Sequence, residues 1–430
     1  MVRSPDAGSP LKLVVLDSHS HFLPLTYTRP VYMLRVGLHT PLERMLSHLR
    51  PDEALLWTRS YLKEAVSEWT GKPVNDADMI DEPCLMVDGS VLMDRRLSAA
   101  LRDDLRRSPN TVKVFVDVAG TAVAGWCQPE AAQRALEAQE PLELLSSIAG
   151  DRAVLPSVRR LESPWQMLGM NSQLLQEDIL AMGVRLRRRL KRLGRFGRRV
   201  FVMEGAEVEP NVVLRSDSGP VLVGEGAVVE AGARVVGPAY VGSGSIVRGG
   251  AQVRGGSNVG PVCRVGGEVE ETIFLGYSNK QHFGFTGHMI VGEWVNIGAG
   301  FSNSDVKNTY GTVRSELLGV RVDTGVVKYG GILADMVKVS IGAYLYTGRL
   351  VGVSSHIHGH VRVNVPGFTI HWPGGDLETL EPESALRTQE RMMGRRGLSM
   401  TDGYRRLVQR LFEETRHERE AAGAGPPRHG

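Results

Sequence analysis

Cysteine is scarce in this 430-residue chain: there are three, Cys84, Cys127 and Cys263. Their odd number and wide separation argue against a disulfide framework and a cysteine metal knuckle, and point to a reducing compartment, so the cytoplasm is the expected location. A surplus of one charge is also missing. Lys and Arg number 51 against 48 Asp and Glu, a net +3, so the chain as a whole is not built to neutralise nucleic acid. No long apolar run occurs near the start. Met1 to Pro10 is polar, and Leu11 to Leu16 is far shorter than the about 20 residues of a membrane span, so neither a secretion signal nor a membrane anchor is expected. What is present, 42% hydrophobic residues over this length, excludes a disordered chain and allows two or three domains with cores.

The texture changes along the chain. From Leu11 to about Asn171, strand-like runs (Leu13 to Leu16, Leu85 to Val87, Val112 to Val118) alternate with helix-like stretches (Thr40 to Leu49, Ala131 to Ile148, Asn171 to Arg192). That alternation predicts an α/β domain with a largely parallel sheet.

From about residue 201 a different rule applies. Val223, Val229, Val235, Val241, Val247, Val253, Val259 and Val265 recur every six residues. Four positions after each comes a small or apolar residue: Ala227, Ala233, Ala239, Ser245, Ala251, Ser257, Cys263 and Val269. The period extends back to Val202, Val208 and Leu214, and forward through Leu333, Val339, Leu345, Val351, Ile357 and Val363. A helix with 3.6 residues per turn would scatter these valines around its surface. A solenoid of short strands stacks them instead, with glycines such as Gly226, Gly232 and Gly244 at the corners. Cys263 is then a small core residue. Val265 and Val291 are 26 apart, which breaks the period and predicts a loop leaving the solenoid between Glu270 and Gly287. After Pro366 the pattern stops, and Glu381 to Arg419 reads as charged helices capping an exposed end.

The six-residue pattern together with Gly292-Glu-Trp-Val-Asn296-Ile-Gly-Ala-Gly300 resembles the acetyltransferase half of the bifunctional glucosamine-1-phosphate acetyltransferase/UDP-N-acetylglucosamine pyrophosphorylase family. Leu23-Pro-Leu-Thr-Tyr-Thr-Arg-Pro30, Leu34-Arg-Val-Gly37, and Gly276-Tyr-Ser-Asn-Lys-Gln-His282 leading into Asn303-Ser-Asp-Val-Lys-Asn308 are similar to its sugar-nucleotidyltransferase branch. The resemblance implies a left-handed parallel β-helix following a nucleotidyltransferase-like α/β domain, and a homotrimer. The expected layout is an α/β domain over 11–180, a basic linker helix over 181–200, a β-helix over 201–370, and a helical extension with a disordered tail over 371–430.

By the same resemblance His282, fourteen residues before Asn296, is the general base, taking a proton from an amino sugar phosphate as it attacks the thioester of acetyl-CoA. An imidazole titrating near neutrality suits that task. His288, in Thr-Gly-His-Met, is the rival if one six-residue unit is deleted. Asn296 would hold the acceptor sugar, and Lys280 or Lys307 its phosphate. The family's tyrosine three residues after the histidine is Phe285 here, which removes a hydroxyl donor. The competing view is that this His and Asn only pin a loop.

In the N-terminal domain, Leu16-Asp-Ser-His-Ser-His-Phe-Leu23 stands where sugar-nucleotide pyrophosphorylases carry a Gly-rich phosphate loop. Arg29, Lys12 or Arg35 would have to supply phosphate contacts by side-chain charge. Nucleotidyl transfer to a sugar-1-phosphate needs Mg²⁺, for which Asp88 (with Ser90 in the family's Asp position) and Asn171 are the candidate ligands. Asn171 reads equally well as a helix N-cap. Sugar phosphate and nucleotide substrates follow; the alternative is a catalytically silent sugar-nucleotide-binding regulator or trimeric scaffold.

Two features stand apart. His356, His358 and His360 alternate as if on one side of a strand, which suggests either a metal between subunits or a hydrogen-bonding strip. The basic run Arg185 to Arg199 reads first as a solvated linker helix. Phosphate or nucleic-acid contact is the second reading, and with one aromatic residue, Phe196, in the run and no base-reading motif beside it the charge alone would have to carry that contact.

Overall fold

The computed structural model describes residues 11–17, 22–105, 111–185, 199–317 and 319–427, which form two compact units. One unit contains the described residues of 11–17, 29–34 and 39–162, and the other those of 22–28, 35–38 and 163–427. Among the described residues no helix is long and apolar enough to cross a membrane.

The first unit is built on six strands: β1 (Lys12–Leu16), β2 (Glu53–Trp57), β3 (Cys84–Asp88), β4 (Lys113–Val116), β5 (Ala122–Cys127) and β6 (Asp151–Val154), in the order β2-β1-β3-β5-β4-β6. β1 runs parallel to β2 and β3, and β4 parallel to β6, but β5 is antiparallel to both neighbours, so the sheet is mixed rather than largely parallel. A short Asp117 to Thr121 turn joins β4 to β5, leaving no room for a crossover helix. Helices α1 (Pro41–Leu49), α2 (Lys63–Thr70) and α3 (Arg95–Leu105) follow β1, β2 and β3 in the chain. α1 starts in a capping box, Thr40 accepting from the Glu43 amide and Glu43 from the Thr40 amide. The helix expected from Ala131 to Ile148 is two, α4 (Pro129–Leu136) and α5 (Pro141–Ile148), because Pro141 cannot continue a helix and starts a new one. Cys84 and Cys127 face each other across β3 and β5, buried and free.

In the second unit the six-residue rule becomes a stack of short strands in parallel sheets. From Val221–Val223 to Asn296–Ile297 each strand pairs with the third strand before it, and the chain visits the sheets in turn. Val223, Val241 and Val259 lie in register on one sheet, and Val229, Val247 and Val265 on the next, so three six-residue units complete one coil. This order is compatible with the expected β-helix. All eight valines of that ladder point inward and are buried, as are the small residues of the second phase. Cys263 is among them, its thiol pushed up to about 12 by burial. Where the small residue is serine it satisfies the corner: Ser245 Oγ donates to Gly260 O and accepts from the Cys263 amide.

The break in the period is not a loop. Residues 268–270, 273–276, 279–280 and 285–287 remain strands of the stack, which corrects the expected excursion between Glu270 and Gly287. Two coils are simply shorter: Val259 pairs with Phe274, and Phe274 with Val291, spacings of 15 and 17 in place of 18. The actual excursion runs from about Ser304 to Tyr329 and carries an antiparallel hairpin, Arg314–Leu317 with Val320–Asp323. Near the end the phase slips again. Leu345 pairs with Val361, so Val361 and Val365 are buried and Val363 is exposed, against expectation.

One outer sheet face is apolar, and α6 (Pro164–Arg185) packs on it through Leu175 and Ile179 against Phe201 and Leu222. Residues 186–198, most of the expected linker helix, lie outside the described residues. The charged C-terminal stretch forms α7 (Pro382–Gly394), α8 (Asp402–Glu414) and α9 (Arg416–Ala421). Phe412 meets Phe368 edge-on at 5.5 Å, and Arg419 donates to Gly367 O, so the helices cover the end of the stack. The tail expected to be disordered returns as far as Gly425, which exchanges backbone hydrogen bonds with Leu377 and Thr379.

Inward and outward positions therefore predict opposite responses. Val247→Asp places an unpaired carboxylate in a fully buried position and should cost more than about 4 kcal/mol, whereas Ile246→Asp, on the outer face, should cost about 1 kcal/mol or less. Denaturant unfolding followed by circular dichroism checks this; equal losses would disprove the alternation.

Candidate active site

In the first unit the strands β1 and β3 end side by side, Leu16 beside Asp88, at the carboxyl edge where open α/β sheets take their ligands. Asp17, the residue after β1, is fully committed to structure. It accepts from the Val31 amide at 3.0 Å, Thr58 Oγ1 at 2.9 Å and Arg59 Nε at 3.1 Å. Arg59 also donates to Arg29 O, and Arg29 itself is buried. Asp88 is half-buried and accepts from the Ser90 amide at 2.7 Å. Gly89 is obligatory between them, since a Cβ there would stand 2.4 Å from Leu16 O and 2.8 Å from the Tyr32 ring. Lys12, at the opposite end of β1, is held by Glu53 and Asp81.

Asn171 belongs to the second unit and lies inside α6, seven residues past its start, so it is not an N-cap. Its carboxamide is spent. Oδ1 accepts from the Gly37 amide and from Asn258 Nδ2, both at 3.0 Å, and Nδ2 donates to Gly256 O at 2.8 Å. An oxygen already accepting two N–H bonds has no lone pair for a cation, so Asn171 does not fit a magnesium ligand and is a clamp holding residue 37 and α6 to the stack. Asp88 alone carries the magnesium expectation. Among the described residues no group of three or more His, Cys, Asp or Glu is placed to hold a metal. Arg35, expected near phosphate, donates to Leu38 O in the second unit.

His282 sits exposed at a corner of the stack, and among the described residues its imidazole has no hydrogen-bond partner. The neighbouring Phe283 lies over Gly300, and Phe283 O accepts from the Gly300 amide, so this corner rests on the Gly298-Ala-Gly300 corner of the following coil. Asn296 is exposed on the adjacent face and accepts from Asn279 Nδ2 at 3.3 Å. Asn279 in turn accepts from Arg396 Nη2 at 2.6 Å.

Lys280 cannot be a phosphate ligand in this structure. It occupies the inward position in register with Val265, is 1% exposed, and donates to Gly266 O and His282 O. Burial lowers its ammonium to about 8. Lys307, in the excursion, donates to Thr312 O at 2.6 Å and lines a cavity of about 730 Å³.

His288 is unsuited to the role of base. Its Nδ1 lies 2.7 Å from Asp305 and its Nε2 3.4 Å from Glu271. Burial opposes the charge, but the two carboxylates prevail and raise the imidazole to about 9, so at neutral pH it is a cation with no lone pair to offer. Both carboxyls are held below their ordinary range by the same pairing, with burial working against it.

The three alternating histidines do not share a face. His356 and His358 flank Ile357, but the chain turns a corner at Gly359 (φ +65) and His360 lies on another sheet. His358 accepts or donates at Ser340 Oγ and stacks on Trp372 at 5.1 Å, while burial lowers His356 to about 4. Sequence reasoning missed Lys338, in register with His356, whose ammonium donates to Trp294 O and Met336 O and is lowered by burial to about 7.

Residues 14–183 match the family of sugar nucleotidyl transferases. The chain thus carries a sugar-nucleotidyltransferase-like domain, and within the match lie Asp17, Asp88 and Ser90 at the strand ends. Among solved structures, one described as a glucose-1-phosphate thymidylyltransferase from Bacillus anthracis in complex with sucrose is 10% identical. That likeness has a TM-score of 0.31 and covers 38% of this chain and 95% of that one. The bifunctional IspDF from Campylobacter jejuni is 12% identical with a TM-score of 0.28, over 36% of this chain and about half (53%) of its own length. At these scores neither adds to the family match. No curated protein matches the chain.

Two outcomes follow from this geometry. Asn171→Ala should lower the stability of the second unit by about 2–4 kcal/mol, equally with magnesium or with chelator, because it orphans buried partners; a loss seen only with magnesium would restore the metal role. In a ¹H–¹³C titration His288 should keep its proton up to about pH 9 and titrate below the ordinary value of 6.5 once Asp305→Asn and Glu271→Gln remove the carboxylates and leave burial acting alone. The stabilisation from a raised imidazole is complete below its unfolded value and is lost as pH rises through about 9.

Proposed function

We propose that this protein is a transferase of sugar-nucleotide synthesis that joins a nucleoside triphosphate to a sugar-1-phosphate at the carboxyl edge of β1 and β3. The observation that carries the reading is the family match over 14–183, with Asp88 at the end of a strand inside it. In the reaction an oxygen of the sugar phosphate bonds to the α-phosphorus and pyrophosphate leaves. Magnesium, when bound, neutralises charge on the triphosphate. The roles of this chain are to present the Asp88 carboxylate at the strand edge and to keep that edge rigid through the Asp17, Thr58 and Arg59 hydrogen bonds.

The second unit supports a further half of the proposal, acyl transfer from acetyl-CoA to an amino sugar phosphate on a left-handed β-helix assembled as a trimer. Its support is the inward apolar ladder and the exposed imidazole of His282, without a hydrogen-bond partner among the described residues, beside the Gly298 to Gly300 corner. His282 would take the proton as the amine bonds to the thioester carbonyl and the CoA thiol leaves. Asn296 is the remaining acceptor contact, whereas Lys307 is held by Thr312 O and faces the cavity beside the excursion.

The full chain, incubated with UTP or dTTP, magnesium and a panel of sugar-1-phosphates, should release pyrophosphate, and Asp88→Ala should reduce the rate at least about tenfold. In a parallel assay with acetyl-CoA and amino sugar phosphates, His282→Ala should lower thiol release by about 10² to 10⁴. No pyrophosphate with any pair would leave a silent sugar-nucleotide binder, and an unchanged thiol rate in His282→Ala would remove the histidine from the chemistry.

A further inference from the structure

The excursion from Ser304 to Tyr329 does more than interrupt the stack. Its hairpin is pressed onto the corner at Gly348, where a Cβ would stand 2.7 Å from Val313 and 2.9 Å from Arg314 O. Ser315 Oγ donates to Gly348 O, Thr347 Oγ1 to Ser304 Oγ, and the Gly348 amide to Tyr329 O, so the excursion is fixed at both ends. Between it and the last coils lie two cavities, of about 730 and 250 Å³, which share Arg314, Arg321 and Arg349.

Three guanidinium groups on one wall call for an anion. Among the described residues none of the three forms an ion pair within 4.0 Å, and the Nε of Arg349 is buried with no hydrogen-bond partner. Burial and the neighbouring Arg321 charge lower the Arg349 guanidinium, and the Glu316 carboxylate offsets them only in part. Two carboxylates offset part of this charge, Glu316 acting on Arg349 and Asp323 on Arg314, against three guanidinium groups. Glu316 shares the smaller cavity and is held by Asn364 Nδ2 at 3.0 Å, and Asp323 stands opposite Arg314 across the hairpin.

The larger cavity supplies a second kind of surface. Tyr344 and Tyr346 line it beside His360, with ring centroids 5.0 and 6.3 Å from the imidazole, and both tyrosines are more than a third exposed. A cation wall that grips phosphate oxygens in forks, continuous with flat aromatic faces, is the recognition surface of a molecule bearing both phosphate and a planar ring. The volume is that of a small-ligand site.

We propose that this pocket binds a nucleoside diphosphate, its phosphates on Arg314, Arg321 and Arg349 and its base against Tyr344 or Tyr346. The inference rests on the reading of the chain as a sugar-nucleotide enzyme and adds to it a second nucleotide site, on the stacked-strand unit rather than the α/β unit. It gives the excursion a purpose: two of the three arginines belong to its hairpin.

Hydrogen–deuterium exchange on the full chain with UDP distinguishes the sites by the peptide protected. UDP should protect residues 304–330 in the unaltered protein. Arg321→Gln, on the exposed hairpin, and Arg349→Gln should each weaken that protection at least about tenfold in UDP concentration, while pyrophosphate release by the α/β unit persists. Loss of pyrophosphate release with protection of 304–330 intact would count against the proposed function and leave this site standing. Protection of 304–330 that is unchanged in both variants, or absent at millimolar UDP, would overturn it. Coenzyme A or glucosamine 1-phosphate protecting the segment at lower concentration than UDP would equally overturn it, assigning the pocket to an acyl donor or to a sugar phosphate.

Discussion

The second unit depends on one repeated contact: a branched side chain stacked on its equivalent one coil away, at a spacing of 18 residues, with a small residue filling the gap four positions on. Each coil buries its valines only because the next coil covers them, so the parallel hydrogen bonds and the apolar column form together. The candidate groups of this unit lie where this contact is kept and the outer surface is free to vary. His282 and His288 are corner residues, Asn296 is an outward residue, and the arginine pocket is built on an insertion between two coils that still stack, Val291 on Leu333. The same rigidity explains Lys280 and Lys338. Their stems run along the stack while their ammonium groups find backbone carbonyls, and burial lowers both.

Much of this was legible in the sequence, and the failures have physical causes. The valine ladder exposed the stack because its period is incompatible with a helix. Two of its errors mirror one another. Coils of 15 and 17 residues broke the period without breaking the structure, so a loop was expected where there is none. The real excursion went unseen because Leu333 follows Val291 by 42 residues, a multiple of six, so the phase survived the insertion. In the first unit the strands and α1 were visible in their apolar runs and caps, but a tight turn that inserts β5 antiparallel left no comparable signal.

The site was less legible because it depends on what each polar group already touches. Asn171 has the right chemistry for a cation, yet its oxygen is saturated by Gly37 and Asn258. His288 has the right chemistry for a base, yet Asp305 and Glu271 keep it protonated. Lys280 has the right charge for phosphate, yet it fills a valine position. Residue type and spacing nominate such groups; partners and burial decide among them. Arg349 illustrates the converse, since nothing in its sequence surroundings marks a half-buried guanidinium whose Nε has no hydrogen-bond partner among the described residues.

The central claim is that a sugar-nucleotidyltransferase-like domain places a nucleotide at the carboxyl edge of β1 and β3, beside Asp88. A crystal structure of the full chain grown with UTP or dTTP and magnesium tests it most directly. The account predicts triphosphate density beyond the ends of Leu16 and Asp88, within reach of the Asp88 carboxylate or its bound cation. Nucleotide bound elsewhere on the chain, with that edge empty, would contradict it.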